Sequence, residues 1–287
     1  MLVKAIGFRL NLAAVPCIPA AALTMSTTLH VIDAFTREPF AGNPAAVCVL
    51  PGPADEGWMR RVARELNLAE TAFLHPIAEG FSLRWLTPTV EVDLCGHATL
   101  AAAFTLWQTR RLPRNAEAVF QTRSGRLSCR REGDWIAMDF PAQPPKAVKP
   151  PAGLAKALGA APVWTGFNGT DYFVEVTGEK ILRGLAPDFG LLARLRARGV
   201  VVTCAGGGEG VDFQSRFFAP AVGVNEDPAT GSSHCALGPF WGARLGKAAL
   251  TGYQASERGG LIRVEVRGDR VVLRGQAVRV SRVTLFH

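Results

Sequence analysis

The chain carries a diverged copy of its own central segment, and that duplication restricts the fold more than any other feature. Phe81-Ser-Leu-Arg-Trp-Leu-Thr-Pro-Thr-Val-Glu-Val92 aligns with Phe213-Gln-Ser-Arg-Phe-Phe-Ala-Pro-Ala-Val-Gly-Val224 at a constant offset of 132 residues, with five identities in twelve positions. In each copy a glycine-bearing turn follows: Asp93-Leu-Cys-Gly96-His97 in the first, Asn225-Glu-Asp227-Pro-Ala-Thr230-Gly231-Ser232 in the second. Each turn opens into an apolar stretch, 98–107 and 233–241, that reads as a helix with no polar face. Such a helix must be enclosed on every side, and the short alternating segments around it supply a curved antiparallel sheet.

Those segments are strands expected at 28–35 and 45–50 around the turn Gly42-Asn43-Pro44, and a meander across 118–140 with turns at Gly125 and Gly133. Residues 56–66 predict an amphipathic helix with Asp55 as N-cap. The second half offers strands at 172–176, 200–204, 261–266 and 270–274, with an outer helix expected at 187–198. A proline-rich strap, 141–151, joins the halves. The expected fold is α+β: two pseudo-symmetric lobes, 26–145 and 152–287, each a curved, mostly antiparallel sheet around a central apolar helix, with the last strand free to cross back to the first lobe. Residues 1–25 stand apart. The apolar stretch 10–23 is broken by Pro16 and Pro19 and is too short to span a bilayer; it reads as a signal-like segment or as sequence upstream of a true start at Met25.

The formal net charge of +8 is mostly arginine, spread along the chain without interleaved aromatics. This excludes a stacking platform for nucleic acid but favours the approach of an anionic substrate. The six cysteines, at 17, 48, 95, 129, 204 and 235, include no CxxC pair, so the sequence supports neither a zinc knuckle nor a thioredoxin-like pair, and a reduced cytoplasmic protein is expected. Gly206-Gly207-Gly208 lacks the lysine and helix of a phosphate loop, and no Ser-His-Asp or HExxH pattern occurs.

The duplicated turns therefore carry the functional expectation. Helix starts present free N–H groups and a partial positive charge, and Gly96 and Gly231 let backbone approach a ligand. Two such ends across a pseudo-twofold axis form a receptor for a carboxylate and can stabilise enolate-like charge. Under the 132-residue offset Cys95 faces Asp227, and Glu70 faces Val202. Asp227 reads as an N-cap followed by Pro228 at the first helical position, and a helix start would lower the pKa of the Cys95 thiol. Glu70 lies in Ala69-Glu-Thr-Ala-Phe73, an acid among small and apolar neighbours in a setting suited to proton transfer.

The motifs Phe40-Ala-Gly-Asn-Pro-Ala-Ala-Val47, Ala69-Glu-Thr-Ala-Phe73, Cys95-Gly-His-Ala-Thr99 and Glu226-Asp-Pro-Ala-Thr-Gly-Ser232 resemble the phenazine-biosynthesis isomerase (PhzF) family, of diaminopimelate epimerase-like fold. The resemblance implies a cofactor-independent isomerase, active as a cytoplasmic homodimer, that moves a proton on a small carboxylate. It implies that Glu70 removes and returns the proton, with His97 and Asp227 completing the catalytic group. Gly96, Gly231, Ser232 and Thr230 then contact the substrate; Asn43, read first as a turn residue, and Cys95 join them. Diaminopimelate epimerases use a cysteine at each helix head, whereas here only Cys95 survives. The competing expectations are an amino-acid racemase with unlike bases and a non-catalytic metabolite-binding protein.

Overall fold

The computed structural model describes residues 26–286 except 207 and 209; the expectation for residues 1–25 lies outside them. The first half runs β1 (Ser26–Ala34), β2 (Asn43–Val49), α1 (Glu56–Leu66), β3 (Glu70–Ile77), β4 (Gly80–Leu86), β5 (Glu91–Val92), α2 (Gly96–Gln108), β6 (Ala118–Thr122), β7 (Gly125–Glu132) and β8 (Trp135–Pro141). The second runs β9 (Lys146–Ala147), α3 (Leu154–Leu158), β10 (Trp164–Phe167), β11 (Asp171–Glu175), α4 (Glu179–Arg183), α5 (Phe189–Leu192), β12 (Gly199–Ala205), β13 (Phe213–Ala219), β14 (Val224–Asp227), α6 (Gly231–Leu245), β15 (Ala249–Gln254), β16 (Gly260–Arg267), β17 (Arg270–Gly275) and β18 (Ala277–Phe286).

The two halves repeat one pairing scheme. In the first, β2 runs parallel to β3, β3 antiparallel to β4, β4 parallel to β6, and β6, β7 and β8 form an antiparallel meander. In the second, β11 runs parallel to β12, β12 antiparallel to β13, β13 parallel to β15, and β15, β16 and β17 form the meander. Two pairings cross between halves: β8 with β17, and the C-terminal β18 with β1. The fold is α+β and dominated by sheet.

The central helices are buried as their composition demands. Leu100, Ala101, Ala102, Ala103 and Leu106 of α2, like Ala236 and Leu237 of α6, are fully inaccessible; each leucine so buried contributes about 2 kcal/mol of apolar transfer free energy. Gly238 lets α6 lie close on the sheet, because a Cβ there would stand 2.4 Å from Val264 Cγ1. Pro239 sits inside α6 and has no N–H to offer Cys235 four residues earlier. That free carbonyl instead accepts the backbone N–H of Gln143 at 3.0 Å, which ties the proline-rich strap to the helix.

The register of the repeat differs from the sequence alignment. Arg84 forms a paired hydrogen-bonded contact with Glu91 at 2.7 and 2.6 Å, and Arg216 repeats it with Glu226 at 2.7 and 2.8 Å. The arginines are offset by 132 residues and the glutamates by 135. The three extra residues lie after β13, in the 3-10 turn Pro220–Val222 closed by Gly223 at φ 84°. Upstream, Thr71 faces Leu86 and Val200 faces Phe218, an offset of 129. Consequently Asp227 stands opposite Val92 rather than Cys95, Cys95 matches Thr230, His97 matches Ser232, and Glu70 matches Gly199 rather than Val202. The outer helix expected at 187–198 is the single turn α5, capped by Asp188. Residue 198 is drawn out of it, since the Arg198 N–H donates to the Thr170 carbonyl at 2.9 Å at the entrance to β12.

Candidate active site

The heads of α2 and α6 abut: a Cβ on Gly96 would lie 3.7 Å from Gly231 Cα. Above them opens a cavity of about 340 Å³ whose walls include Glu70, Cys95, Gly96, His97, Asp227, Thr230, Gly231 and Ser232. The sequence therefore identifies eight lining residues from both halves. Glu70 is the first residue of β3, paired with Ala45 at the start of its register with β2, and lines the cavity from that strand end. Asn43 is placed differently: it is fully buried and stands behind the wall.

From there Asn43 joins the halves. Its side-chain amide donates to Asp227 Oδ1 at 2.8 Å and to the Ala229 carbonyl at 3.0 Å, which takes up both hydrogens. His97 Nδ1, at 3.2 Å, is a third neighbour. His97 Nε2 lies 3.1 Å from Glu70 Oε2, the inward, buried oxygen of that carboxylate. The other oxygen of Asp227 accepts from the Thr230 hydroxyl. The caps differ from expectation, because the residue preceding α6 is Thr230, not Asp227. Asp227 closes β14 and turns its carboxylate back onto Asn43 and Thr230.

Electrostatics separate the groups. Burial pushes the Asp227 carboxyl upward, and neighbouring Glu70 adds to the rise, against His97, Thr230 and Asn43. Burial opposes charge on His97, yet Cys95 and Glu70 beside it hold the imidazole well above its ordinary value. The Cys95 thiol is pushed up to about 11, chiefly by burial and then by Glu70, more than the helix start can offset. It is a wall residue beside the histidine, with Sγ 3.5 Å from Nδ1. Glu70, Cys95 and His97 offer ligand atoms within 4.8 Å of one another, a spacing a divalent ion could bridge.

Sequence reasoning missed Arg198, which lines the same cavity. It donates from Nε to Asp171 Oδ1 at 2.9 Å, from Nη2 to Asp171 Oδ2, and from Nη2 to Ser232 Oγ at 3.1 Å. The expected outer helix concealed it; the acid Asp171 at the start of a strand was the available signal. Phe140, Pro141 and Phe217 lie on the apolar side of the cavity.

Comparison with known proteins places this architecture. Residues 32–282 match the family described as phenazine biosynthesis-like protein. An uncharacterized isomerase of Halalkalibacterium halodurans is 50% identical over 263 residues, spanning 91% of this chain and 99% of that protein. The chain belongs to the phenazine biosynthesis-like family. Among solved family structures, the PhzF family protein of Enterococcus faecalis superposes with a TM-score of 0.88 at 38% identity, covering 92% of this chain and all of that one. A hydroxyproline epimerase of Agrobacterium vitis, at TM-score 0.59 and 10% identity over 91% of this chain and 92% of its own, shares the epimerase-like fold alone. The family relatives support an isomerase type of activity for this phenazine biosynthesis-like protein. No helix among the described residues is long and apolar enough to cross a membrane.

Proposed function

We propose that the protein is an isomerase that moves a proton on a small carboxylate metabolite, with Glu70 as the acid–base group. The observation that carries this reading is the Glu70 carboxylate on the wall of a cavity floored by two helix starts, with its inner oxygen 3.1 Å from His97 Nε2. In this reading the Glu70 carboxylate takes a proton from a substrate carbon, and His97 beside its inner oxygen stabilises the ionised form beforehand. The backbone N–H groups at the heads of α2 and α6 hold the electron density left on the substrate. Glu70 then redelivers that proton at the position to which the unsaturation moves, which restores its carboxylate, while Asp227, held by Asn43 and Thr230, faces the His97 charge that steadies Glu70. The scheme assigns every step to side chains and backbone.

The test is incubation with small aromatic and amino carboxylates in deuterated water, followed by mass and chiral analysis. Deuterium incorporation with migration of unsaturation, abolished by Glu70→Gln, is the expected result. Inversion of a single centre would favour the racemase instead, and undiminished exchange by Glu70→Gln would sink the role given to that residue.

A further inference from the structure

Superposing the two half-repeats through their strand registers shows an asymmetry beside the proton-transfer group. Glu70 matches Gly199, so the residue before it, Ala69, matches Arg198. Both positions line the cavity, one with a methyl group and the other with a guanidinium. Likewise His97 on the first helix head matches Ser232 on the second. One half thus presents a carboxylate beside an imidazole, and the other an arginine beside a hydroxyl.

Arg198 differs from the other strongly paired arginines. Arg216 has a side chain only 12% exposed and commits Nη1 to the carbonyls of Leu182 and Leu185 at 3.2 and 2.9 Å. Its charge holds loop backbone. The Arg198 side chain is 37% exposed and faces the cavity. Asp171, itself only 2% exposed, grips one edge of the guanidinium, and the Phe217 ring lies 5.4 Å from Cζ. The group is therefore fixed in orientation while Nη1 has no acceptor among the described residues. Ser232 Oγ accepts from Nη2, which leaves its own hydroxyl hydrogen available toward the same side. A clamped guanidinium with a free N–H₂ edge, next to a free hydroxyl and a helix start, is the donor set that a planar carboxylate fits.

We infer that Arg198 is the specificity-determining residue of this site, binding the substrate's carboxylate from the second half while the carbon that exchanges its proton faces Glu70. The inference rests on the carboxylate substrate proposed above. It adds the orientation: anionic end toward Arg198 and Ser232, reactive carbon toward Glu70 and His97. The substrate class is a small monocarboxylate whose labile C–H lies within a few bonds of the acid group. A neutral isostere loses the arginine contact and the preference with it.

Calorimetric titration of paired probes tests this: a panel of aromatic and aliphatic monocarboxylates, each against its own primary amide, with the parent protein, Arg198→Gln, Arg198→Lys and Glu70→Gln. The parent is expected to bind at least one carboxylate about tenfold or more tightly than the matching amide. Arg198→Gln is expected to abolish that preference while leaving amide binding within about twofold. Arg198→Lys, which keeps the charge toward Asp171 and hence the fold, should retain the sign of the preference but only part of its size. A parent protein that shows no carboxylate preference overturns the inference, as does a preference untouched in both Arg198 variants, or equal losses for acid and amide. Glu70→Gln should keep the preference. Loss of isotope exchange together with retained selectivity then separates the anchor from the acid, so failure of either assignment is visible by itself.

Discussion

The heads of the two central helices are built from the same scaffold and carry opposite chemistry. On the first, Glu70 and His97 flank Gly96; on the second, Gly199 and Ser232 occupy the matching positions around Gly231, with Arg198 one residue upstream. Even the internal support is matched. The Thr99 hydroxyl donates to the Cys95 carbonyl at 2.6 Å, and at the equivalent place His234 Nδ1 lies 2.8 Å from the Thr230 carbonyl. What was duplicated is the backbone geometry that exposes two sets of helix N–H groups. What diverged is the side chains set around them, so that a pseudo-symmetric cavity holds a strongly unsymmetric field.

The comparison breaks most sharply at Glu70. Glu70→Gln should lower proton exchange by about a thousandfold, as expected for loss of a positioned acid–base group, with little change in melting temperature. Loss of exchange only in proportion to loss of folded protein would instead make Glu70 a structural residue.

Next comes His234, fully buried with its Nε2 unpartnered, and with its pKa lowered to about 4 by burial. The unfolded chain takes up a proton near pH 6.5, while the folded chain does not until about pH 4. Stability is therefore lost as pH falls through that window, by up to about 3 kcal/mol. His234→Thr, which copies Thr99, should flatten this part of the melting-temperature profile while costing stability at every pH through the cavity it leaves. An unchanged slope would contradict the assignment.

The duplicated ion pairs give a smaller contrast. Removing Arg216 strands Glu226 and frees the backbone carbonyls of Leu182 and Leu185, so Arg216→Met should cost about 2–3 kcal/mol in denaturant unfolding. Arg84→Met should cost about half as much, because Glu91 keeps Arg123 at 2.7 Å. Equal costs would show that the second partner contributes nothing. Smallest is Gly199→Ala. A Cβ there would stand 2.6 Å from the Phe217 ring and 2.7 Å from the Phe218 carbonyl, so about 1–2 kcal/mol of overpacking is expected. Glu70→Ala, its counterpart, should cost less than 1 kcal/mol, since it faces a cavity.

Much of this was legible in the residues. The enclosed helices followed from stretches with no polar face, and the motif around Glu70 and the two glycine turns identified the polar residues around the two helix heads. The failures share one cause. An alignment with a fixed offset cannot detect the residues lost before β4 and gained after β13, and those shifts decide which side chain opposes which. They moved the match of Asp227 from Cys95 to Val92 and that of Glu70 from Val202 to Gly199. Arg198 was hidden for another reason: 187–198 has helical composition, but the backbone bond to Thr170 and the grip of Asp171 draw its end into the sheet. Tertiary contacts outweighed local propensity there. The position of Asn43 behind the wall was not readable either, since burial of a turn residue depends on the strand opposite.

The cross-half pairings of β1 with β18 and β8 with β17 set an order of events at the ribosome. Strand β1 cannot acquire its neighbour β18 until residues 277–286 have been made. Until then one flank of the early sheet lies open, and the acid-bearing half must wait for the arginine-bearing half. Biosynthesis thus delays closure of the cavity until both of its chemically unlike walls exist.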